Sequence, residues 1–286
     1  MKQATSQVKL IECPRDAMQG WKTFIPTEQK AAYINQLLKV GFDTIDFGSF
    51  VSPKSIPQMA DTKDLIPRLR LDGTSTKLLA IVANERGATE AAVFDEISYL
   101  GFPFSVSETF QQKNTNSSIS ESLKRVEAIQ QICIQSGKKL VVYLSMGFGN
   151  PYGDEWNEEI VFNWAKKIAE RGIEIISVAD TVGLATASQV ERITRFLVHE
   201  LEDIEIGVHL HSTSLNWKEK LKAAYYAGCR RFDGAMKGVG GCPMAGNDLV
   251  GNMDTENLVA YFDSSIHLNY NELLQSRKLA DELFSK

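Results

Sequence analysis

Two histidines separated by one residue are the feature of this chain with the clearest potential for chemistry. His209 and His211 follow an apolar run in the segment IGVHLHS. Side chains two residues apart in a β-strand point to the same face, so both imidazoles would project together. Two imidazoles on one face form part of a ligand set for a divalent metal ion. The simpler interpretation is two hydrogen-bonded histidines at a strand end, and the choice depends on which other ligands the chain supplies.

Asp16 and Asn252 are the candidate oxygen ligands. A carboxylate, an amide oxygen and two imidazoles form a mixed set without thiolate, which favours Mg²⁺ or Mn²⁺. Four protein ligands leave part of an octahedral shell open for a substrate that chelates through two oxygens. A metal ion in that position would make a substrate hydroxyl more acidic.

A guanidinium and a thiol lie beside these candidate ligands. Arg15 precedes Asp16 and could hold the oxygen of a developing enolate. Cys242 lies in the Gly-rich run GVGGCPMAGNDLVGN and could pass a proton to carbon. A buried small hydrophobe is the alternative role for Cys242, but the neighbouring glycines argue against a packed position. Metal ion, arginine and thiol together suit the making or breaking of a carbon–carbon bond through an enolate.

Eight apolar, β-branched runs alternate with helical patterns and would position these residues. The strands are predicted at residues 8–13, 44–50, 78–83, 104–109, 140–146, 173–179, 204–211 and 231–236. The helices are predicted at 27–40, 88–100, 119–135, 155–171, 187–201, 217–227, 255–262 and 271–284, with a weaker pattern at 57–69.

This alternation predicts α/β architecture, specifically a single (β/α)₈ TIM barrel. One catalytic domain, 1–286, would hold the barrel at about 8–262 and a C-terminal helical extension at about 263–286. A doubly wound open sheet is the alternative, but the turn CPRDAMQG after the first strand has no nucleotide-binding glycine pattern.

A TIM barrel carries its chemistry at the C-terminal ends of its strands, and polar residues lie within or just after several predicted strands. They include Asp16, Asp46, Ser49, residues 107–109, Asp180, the two histidines and the segment 238–252. Capping a loop or helix is the ordinary role of any one such residue. The joint occurrence of both histidines with Asp16 and Asn252 is better explained by one site at the barrel mouth.

The composition argues against several functional classes. A net charge of −5 over 286 residues, without a basic run, argues against nucleic-acid binding. There is no apolar stretch of about 18 residues and no secretory signal pattern, so we expect no membrane partner. The four cysteines are scattered without a CxxC pair, which predicts a reducing compartment and a cytoplasmic protein.

Several motifs make the chain resemble the 3-hydroxy-3-methylglutaryl-CoA lyase family, among the metal-dependent lyase and Claisen-condensing barrels. They are PRDAMQ (14–19), SFVSPKSIPQMAD (49–61), SVSETFQQKN (105–114), DTVG (180–183), HLH (209–211), GVGGCP (238–243) and GNMDTENLV (251–259). SFVSPK and GGCP are specific to the lyase branch, whereas the RD and H-X-H elements are shared more widely. The resemblance implies cleavage of 3-hydroxy-3-methylglutaryl-CoA to acetyl-CoA and acetoacetate. It also implies an acyl-CoA substrate, a divalent Mg²⁺ or Mn²⁺ ion and a homodimer.

The resemblance also implies roles for individual residues. The implied metal ligands are Asp16, His209, His211 and Asn252. Arg15 would stabilise the enolate, Cys242 would protonate it, and His209 would accept the proton of the tertiary hydroxyl. Asp46 and Asp180 would be catalytic. The implied cofactor- or substrate-binding positions are Gln19, Lys22, Ser49 and Ser177.

The chain departs from the family pattern at a few positions. Asp46 stands where the family has glutamate, and Ser212 stands where aspartate usually follows H-X-H. Ala17 and Gly20 replace the usual glycine and asparagine. Two alternatives therefore stay open: a related aldolase or acetyl-CoA condensing enzyme acting on another 2-oxo acid or acyl-CoA, and a catalytically silent acyl-CoA-binding relative.

The identity of the fourth metal ligand also has an alternative. Asn247 lies in an Ala-Gly-Asn sequence like that of the condensing enzymes, so it competes with Asn252 for this role. The register of GNMDTENLV with the lyase pattern favours Asn252.

Overall fold

The strands of the chain close into a barrel. The computed structural model describes residues 7–241 and 250–285. Eight parallel strands pair in sequence order, and the first pairs with the last. They are β1 (Lys9–Glu12), β2 (Thr44–Ser49), β3 (Lys77–Ile81), β4 (Ile97–Ser105), β5 (Lys139–Ser145), β6 (Ile175–Ala179), β7 (Glu205–His209) and β8 (Arg231–Gly234). The predicted (β/α)₈ barrel is confirmed.

Helices connect successive strands and surround the barrel. They are α1 (Pro14–Gln19), α2 (Thr27–Leu38), α3 (Thr62–Leu65), α4 (Glu85–Ala92), α5 (Glu108–Thr115), α6 (Ile119–Gln135), α7 (Glu158–Ala169), α8 (Ala187–Glu200), α9 (Trp217–Tyr226), α10 (Thr255–Phe262) and α11 (Tyr270–Leu283). The longest, α6, shows why such segments fold locally. Ser118 and Glu121 form a capping box at its start, and apolar residues such as Val126 and Ile129 face the core.

The fourth strand and the helix before it differ from the prediction. The predicted helix 88–100 ends at Ala92, and β4 occupies Ile97–Ser105 instead of 104–109. Gly101, the residue that follows the predicted helix, lies inside β4. A Cβ atom at this position would approach Ile81 Cδ1 to 2.6 Å, so glycine here serves close packing in the barrel rather than chain termination.

Short helices are the other differences. The segment of α1 was predicted as a turn, and the start of α5 was predicted as the end of the fourth strand. Ser107 is the N-cap of α5, where its Oγ accepts a hydrogen bond of 3.1 Å from Phe110 N. The weak pattern at 57–69 is split into α3 and two 3₁₀ turns, Pro57–Met59 and Ile66–Arg68. Pro67, inside the second 3₁₀ turn, has no N–H to donate to the preceding turn, which disfavours one continuous helix.

The C-terminal helix packs on the barrel that precedes it. In α11, Leu273, Ser276 and Ala280 are buried. Phe284, just after this helix, meets the rings of Trp21 and Tyr33 edge to face at 5.4 and 6.1 Å. Within residues 7–241 and 250–285, no helix has both the length and the apolar character needed to cross a bilayer.

A buried carboxyl joins the start of the barrel to its end. Glu12, at the end of β1, accepts hydrogen bonds from Met236 N at 2.9 Å and Thr255 Oγ1 at 2.5 Å. Burial raises the pKa of Glu12 to about 8, and these two hydrogen bonds only partly oppose that effect. Glu12 therefore joins the turn after β8 to the start of α10, and its carboxyl stays protonated to a higher pH than that of an exposed glutamate.

We expect Glu12→Gln to flatten the dependence of folding stability on pH. The folded state keeps the Glu12 proton up to about pH 8, whereas the unfolded chain releases it near 4.5. The stability from this group is therefore complete below about pH 4.5 and is lost as the pH rises through about 8. Urea unfolding at intervals between about pH 5 and 8 should show a steeper fall for the wild type than for the variant. Equal slopes would contradict a raised pKa at Glu12.

Candidate metal centre at the barrel mouth

A cavity of about 410 Å³ lies at the C-terminal ends of the strands. Its polar side carries Arg15, Asp16, Gln19, Asp46, His209 and His211. Its lining also includes apolar residues, among them Ile56, Ile81, Pro103 and Phe110. A volume in this range suits a small-molecule ligand rather than a protein segment.

Three predicted ligands converge at one point of this cavity. Asp16, His209 and His211 each offer a ligand atom, and these atoms lie within 4.8 Å of one another. The two imidazole centroids are 5.4 Å apart. Asp16 comes from α1, in the first βα connection, whereas His209 ends β7 and His211 lies two residues beyond it. The closed barrel is what brings these distant parts of the chain together.

Asn252 stands beside this cluster with an unused oxygen. Its Nδ2 donates to Asp16 Oδ2 at 2.7 Å and to Val239 O at 2.9 Å. Its Oδ1 is buried and has no hydrogen-bond partner among the described residues. A buried amide oxygen normally has a partner, and a hard divalent cation accepts such an oxygen together with carboxylate and imidazole. The residues present therefore fit a divalent metal ion.

The Gly-rich run passes very close to this pair. A Cβ atom at Gly240 would lie 2.7 Å from Asn252 Nδ2 and 2.8 Å from the main-chain oxygen of Asp16. Gly240 also has a φ of +103°, a conformation that favours glycine. Glycine at this position lets the main chain approach the candidate ligands.

A carboxylate beneath the cluster orients His209. The Nδ1 atom of His209 lies 3.1 Å from Asp233 Oδ2 in β8, so this nitrogen carries the proton and Nε2 is left for the cavity. Burial lowers the pKa of His209, but the Asp233 hydrogen bond and the charges of Asp233 and Asp16 raise it more. The pKa of His211 is lowered to about 3, by burial first and by the neighbouring His209 second. His211 therefore stays neutral, as a ligand must.

Arg15 is fixed by two carboxylates. Its Nε and Nη2 bond both oxygens of Asp46 at 2.5–3.1 Å, and its Nη1 lies 3.1 Å from Asp16 Oδ1 and 2.7 Å from Gln19 Oε1. The aspartate that replaces the family's glutamate is thus long enough to pair with Arg15. Burial raises the pKa of Asp46 to about 6, although Arg15 opposes this rise.

The structure does not bring every predicted residue to this cavity. Asp180 is buried behind His211 and pairs with Lys220 Nζ at 2.7 Å. Ser49 donates to Ile81 O at 3.4 Å and accepts from Val51 N at 3.1 Å. Ser177 is buried in β6, and Lys22 is exposed at the surface. None of these four is among the described residues that line the cavity.

The remaining predicted residues, Cys242 and Asn247, lie outside the described residues. Their predicted roles as loop thiol and alternative ligand therefore stay predictions.

Several site residues were not predicted from the sequence. Asp233, the partner of His209, lies in the strand sequence RFDG, where a charge inside an apolar strand is the signal that was available. Lys113 and Asn114 line the cavity from the end of α5. They lie in the motif SVSETFQQKN, whose role the pattern alone did not indicate. Tyr143 reaches the cavity from β5, a strand whose inner face sequence patterns do not distinguish from its outer face.

The Arg15–Asp46 pair should also matter for stability. Its side chains are only 10% and 1% exposed, so removing one partner leaves an uncompensated group in the interior. We expect Arg15→Met to lower the free energy of unfolding by roughly 3–5 kcal/mol. The double variant Arg15→Met/Asp46→Asn should lose clearly less free energy of unfolding than Arg15→Met does. Urea unfolding tests both, and an unaltered midpoint for Arg15→Met would contradict a stabilising pair.

Comparison with known proteins places these features in a family. The sequence model of the family described as HMGL-like matches residues 7–279. Mouse mitochondrial hydroxymethylglutaryl-CoA lyase is 34% identical over 277 residues, which cover 94% of this chain and 83% of the relative. The crystal structure of Bacillus subtilis HMG-CoA lyase superimposes with a TM-score of 0.91 at 31% identity, covering 98% of this chain and 94% of that chain.

A second solved structure is an HMG-CoA lyase from Acinetobacter baumannii in complex with coenzyme A and 3-methylmalate. It has a TM-score of 0.89 at 29% identity and covers 99% of this chain and 93% of that chain. The family resemblance predicted from the sequence motifs is confirmed. With the family pattern present over nearly its whole length, this chain belongs to the HMGL-like family.

Proposed function

We infer that this protein is a divalent-metal-dependent lyase that cleaves 3-hydroxy-3-methylglutaryl-CoA, or a close acyl-CoA, to acetyl-CoA and acetoacetate. The relatives of similar length are named as lyases of this substrate, and one related structure holds coenzyme A. The observation that carries the inference for this chain is the convergence of Asp16, His209 and His211 within 4.8 Å, in a cavity that also presents Arg15.

The charges around the cluster support a cation there. Three buried carboxylates, Asp16, Asp46 and Asp233, lie at or next to the cluster. Arg15 bonds both oxygens of Asp46, whereas Asp16 also offers a carboxylate oxygen to the cluster. A divalent ion held by Asp16, His209, His211 and the free oxygen of Asn252 would be attracted by that carboxylate in a site of low dielectric.

The side chains can then be assigned to the steps of the reaction. The tertiary hydroxyl loses its proton, the carbon–carbon bond breaks, and the bonding electrons form the enolate of acetyl-CoA. When bound, the metal ion would polarise the oxygens of the substrate. Arg15, held in place by Asp46, presents its guanidinium to the enolate oxygen. Cys242 would return a proton to the enolate carbon, so the reaction has no net gain or loss of protons.

His209 is proposed both as a ligand and as the base that takes the hydroxyl proton. Its Nδ1 is engaged with Asp233, so both roles require Nε2. The single lone pair of Nε2 can either bind the metal ion or accept the hydroxyl proton, but not both at once. The two roles can therefore be separated by experiment, because His211 is proposed as a ligand alone.

We expect His211→Gln to weaken Mn²⁺ binding at least about tenfold, since it removes a direct ligand. If His209 is a ligand in the resting enzyme, His209→Gln should weaken Mn²⁺ binding to a similar extent. If His209 acts as the base alone, His209→Gln should lose turnover while its Mn²⁺ dissociation constant stays within about twofold of the wild type. Isothermal titration with Mn²⁺, combined with an assay of acetoacetate release, makes the distinction.

The substrate is tested directly with purified protein and either Mg²⁺ or Mn²⁺. We expect 3-hydroxy-3-methylglutaryl-CoA to yield equal amounts of acetyl-CoA and acetoacetate. A panel of other acyl-CoAs and 2-oxo acids tests the related aldolase or condensing activities. Turnover of a panel member but not of 3-hydroxy-3-methylglutaryl-CoA would favour those alternatives. Binding of acyl-CoA without turnover of any substrate would favour the silent relative.

The choice of Mg²⁺ or Mn²⁺, the homodimer and the cytoplasmic location remain predictions. The inner face of α11 packs against α2 of the same chain, where Gln36 Nε2 donates to Glu272 Oε2 at 2.5 Å. The outer face of α11, which carries exposed Leu274, is the part of this helix open to a second copy.

A further inference from the structure

A lysine is buried directly behind the candidate metal centre. Lys220, in α9, has a side chain that is 1% exposed. Its Nζ lies 2.7 Å from Asp180 Oδ2 and 2.8 Å from the main-chain oxygen of His211. Burying an ammonium group costs free energy unless its donors are well matched. Both contacts fall on residues at the ends of the strands that form the site.

The Lys220 contacts belong to a network that holds the main chain of both histidines. The main-chain N–H of Asp180 donates to the main-chain oxygen of His209 at 2.9 Å. Asp180 Oδ1 accepts from Ala185 N at 3.0 Å, which fixes the loop after β6. His211 has passed the end of β7, and its main chain is held there by Lys220 and by a bridge to Asn252.

We propose that Lys220 is a positioning residue of the metal centre. By holding the main-chain oxygen of His211, its ammonium group keeps the His211 imidazole within reach of Asp16 and His209. Asp180 then acts through Lys220 rather than by contact with the substrate, which accounts for its place behind the cavity. This inference rests on the proposed function, since it requires a metal ion at Asp16, His209 and His211.

The chain offers a matched control for the removal of a buried lysine. Lys30, in α2, is fully buried, and its Nζ lies 2.7 Å from Asp61 Oδ1 and also donates to the main-chain oxygen of Gln58. It thus makes the same two kinds of contact as Lys220, yet it does not line the cavity. Lys30→Met and Lys220→Met remove equivalent groups, and only Lys220 contacts a proposed ligand.

The test is titration of the full-length protein with Mn²⁺, alongside urea unfolding. Both variants should be destabilised. Lys220→Met should raise the Mn²⁺ dissociation constant about 10–100-fold, as expected when a group that orients a ligand is lost. Lys30→Met should stay within about twofold of the wild type. With Mn²⁺ at saturating concentration, Lys220→Met should regain much of its turnover.

A double variant separates the loss of the donor to His211 from the loss of the charge that balances Asp180. It also avoids the misfolding that an unpaired buried carboxylate could cause. Lys220→Met/Asp180→Asn leaves no unpaired charge in the interior, but it still lacks the donor to His211. We expect its Mn²⁺ dissociation constant to remain raised at least about tenfold. A wild-type dissociation constant in this variant, or in Lys220→Met, would overturn the proposal. Failure of the wild type itself to bind Mn²⁺ would instead refute the proposed function.

Discussion

The pairing of β1 with β8 is the constraint on which the site depends. Lys9 pairs with Arg231 and Glu12 with Gly234, and this register closes the sheet. Without it, α1 would have no reason to lie beside β7 and β8, and Asp16 would remain far from the histidines. The hydrogen bond from Asn252 to Asp16, between residues 236 positions apart, exists only because the barrel is closed. Glu12 strengthens the same junction by joining the end of β1 to the turn after β8.

Buried polar groups near the site are held in place mainly by other protein groups. Asp233 sets the proton position of His209, Asp46 holds Arg15, and Lys220 holds the main chain after β7. Each contact costs desolvation and is stable only where the geometry is complete. The amide oxygen of Asn252 is one of several buried polar atoms without a hydrogen-bond partner among the described residues, and its own amide nitrogen donates to Asp16. Its place beside Asp16 is what supports it as the fourth metal ligand.

Much of this arrangement could be predicted from the sequence. Alternating apolar runs and helical patterns predicted the barrel, because the period of side-chain burial differs between strands and helices. The H-X-H spacing and the rule that barrel chemistry lies at the strand ends predicted that Asp16, His209 and His211 would meet. The boundaries around β4 were wrong because Gly101, directly after the predicted helix 88–100, serves tight packing inside the strand.

The positioning residues could not be predicted in the same way. Asp233 and Lys220 act through contacts between residues that are far apart in sequence. A charge inside an apolar strand marks Asp233 but does not indicate its partner, and no local pattern marks Lys220. Lys220 lies on a helix where a lysine would ordinarily face water. Asp180 was predicted as a catalytic residue, but it is not among the described residues that line the cavity, and it pairs with Lys220 because of how α9 packs. Local periodicity determines the elements, whereas the partners of buried polar groups depend on tertiary structure.

The central claim is that a divalent cation is bound by Asp16, His209, His211 and Asn252. Crystals grown with Mn²⁺ and measured for anomalous scattering test it most directly. The account predicts one strong peak in the cavity, about 2.0–2.6 Å from a carboxylate oxygen of Asp16 and from the imidazole nitrogens of both histidines. It also predicts that the amide oxygen of Asn252 faces that peak. Mn²⁺ bound elsewhere, with no anomalous peak between these side chains, would contradict the claim.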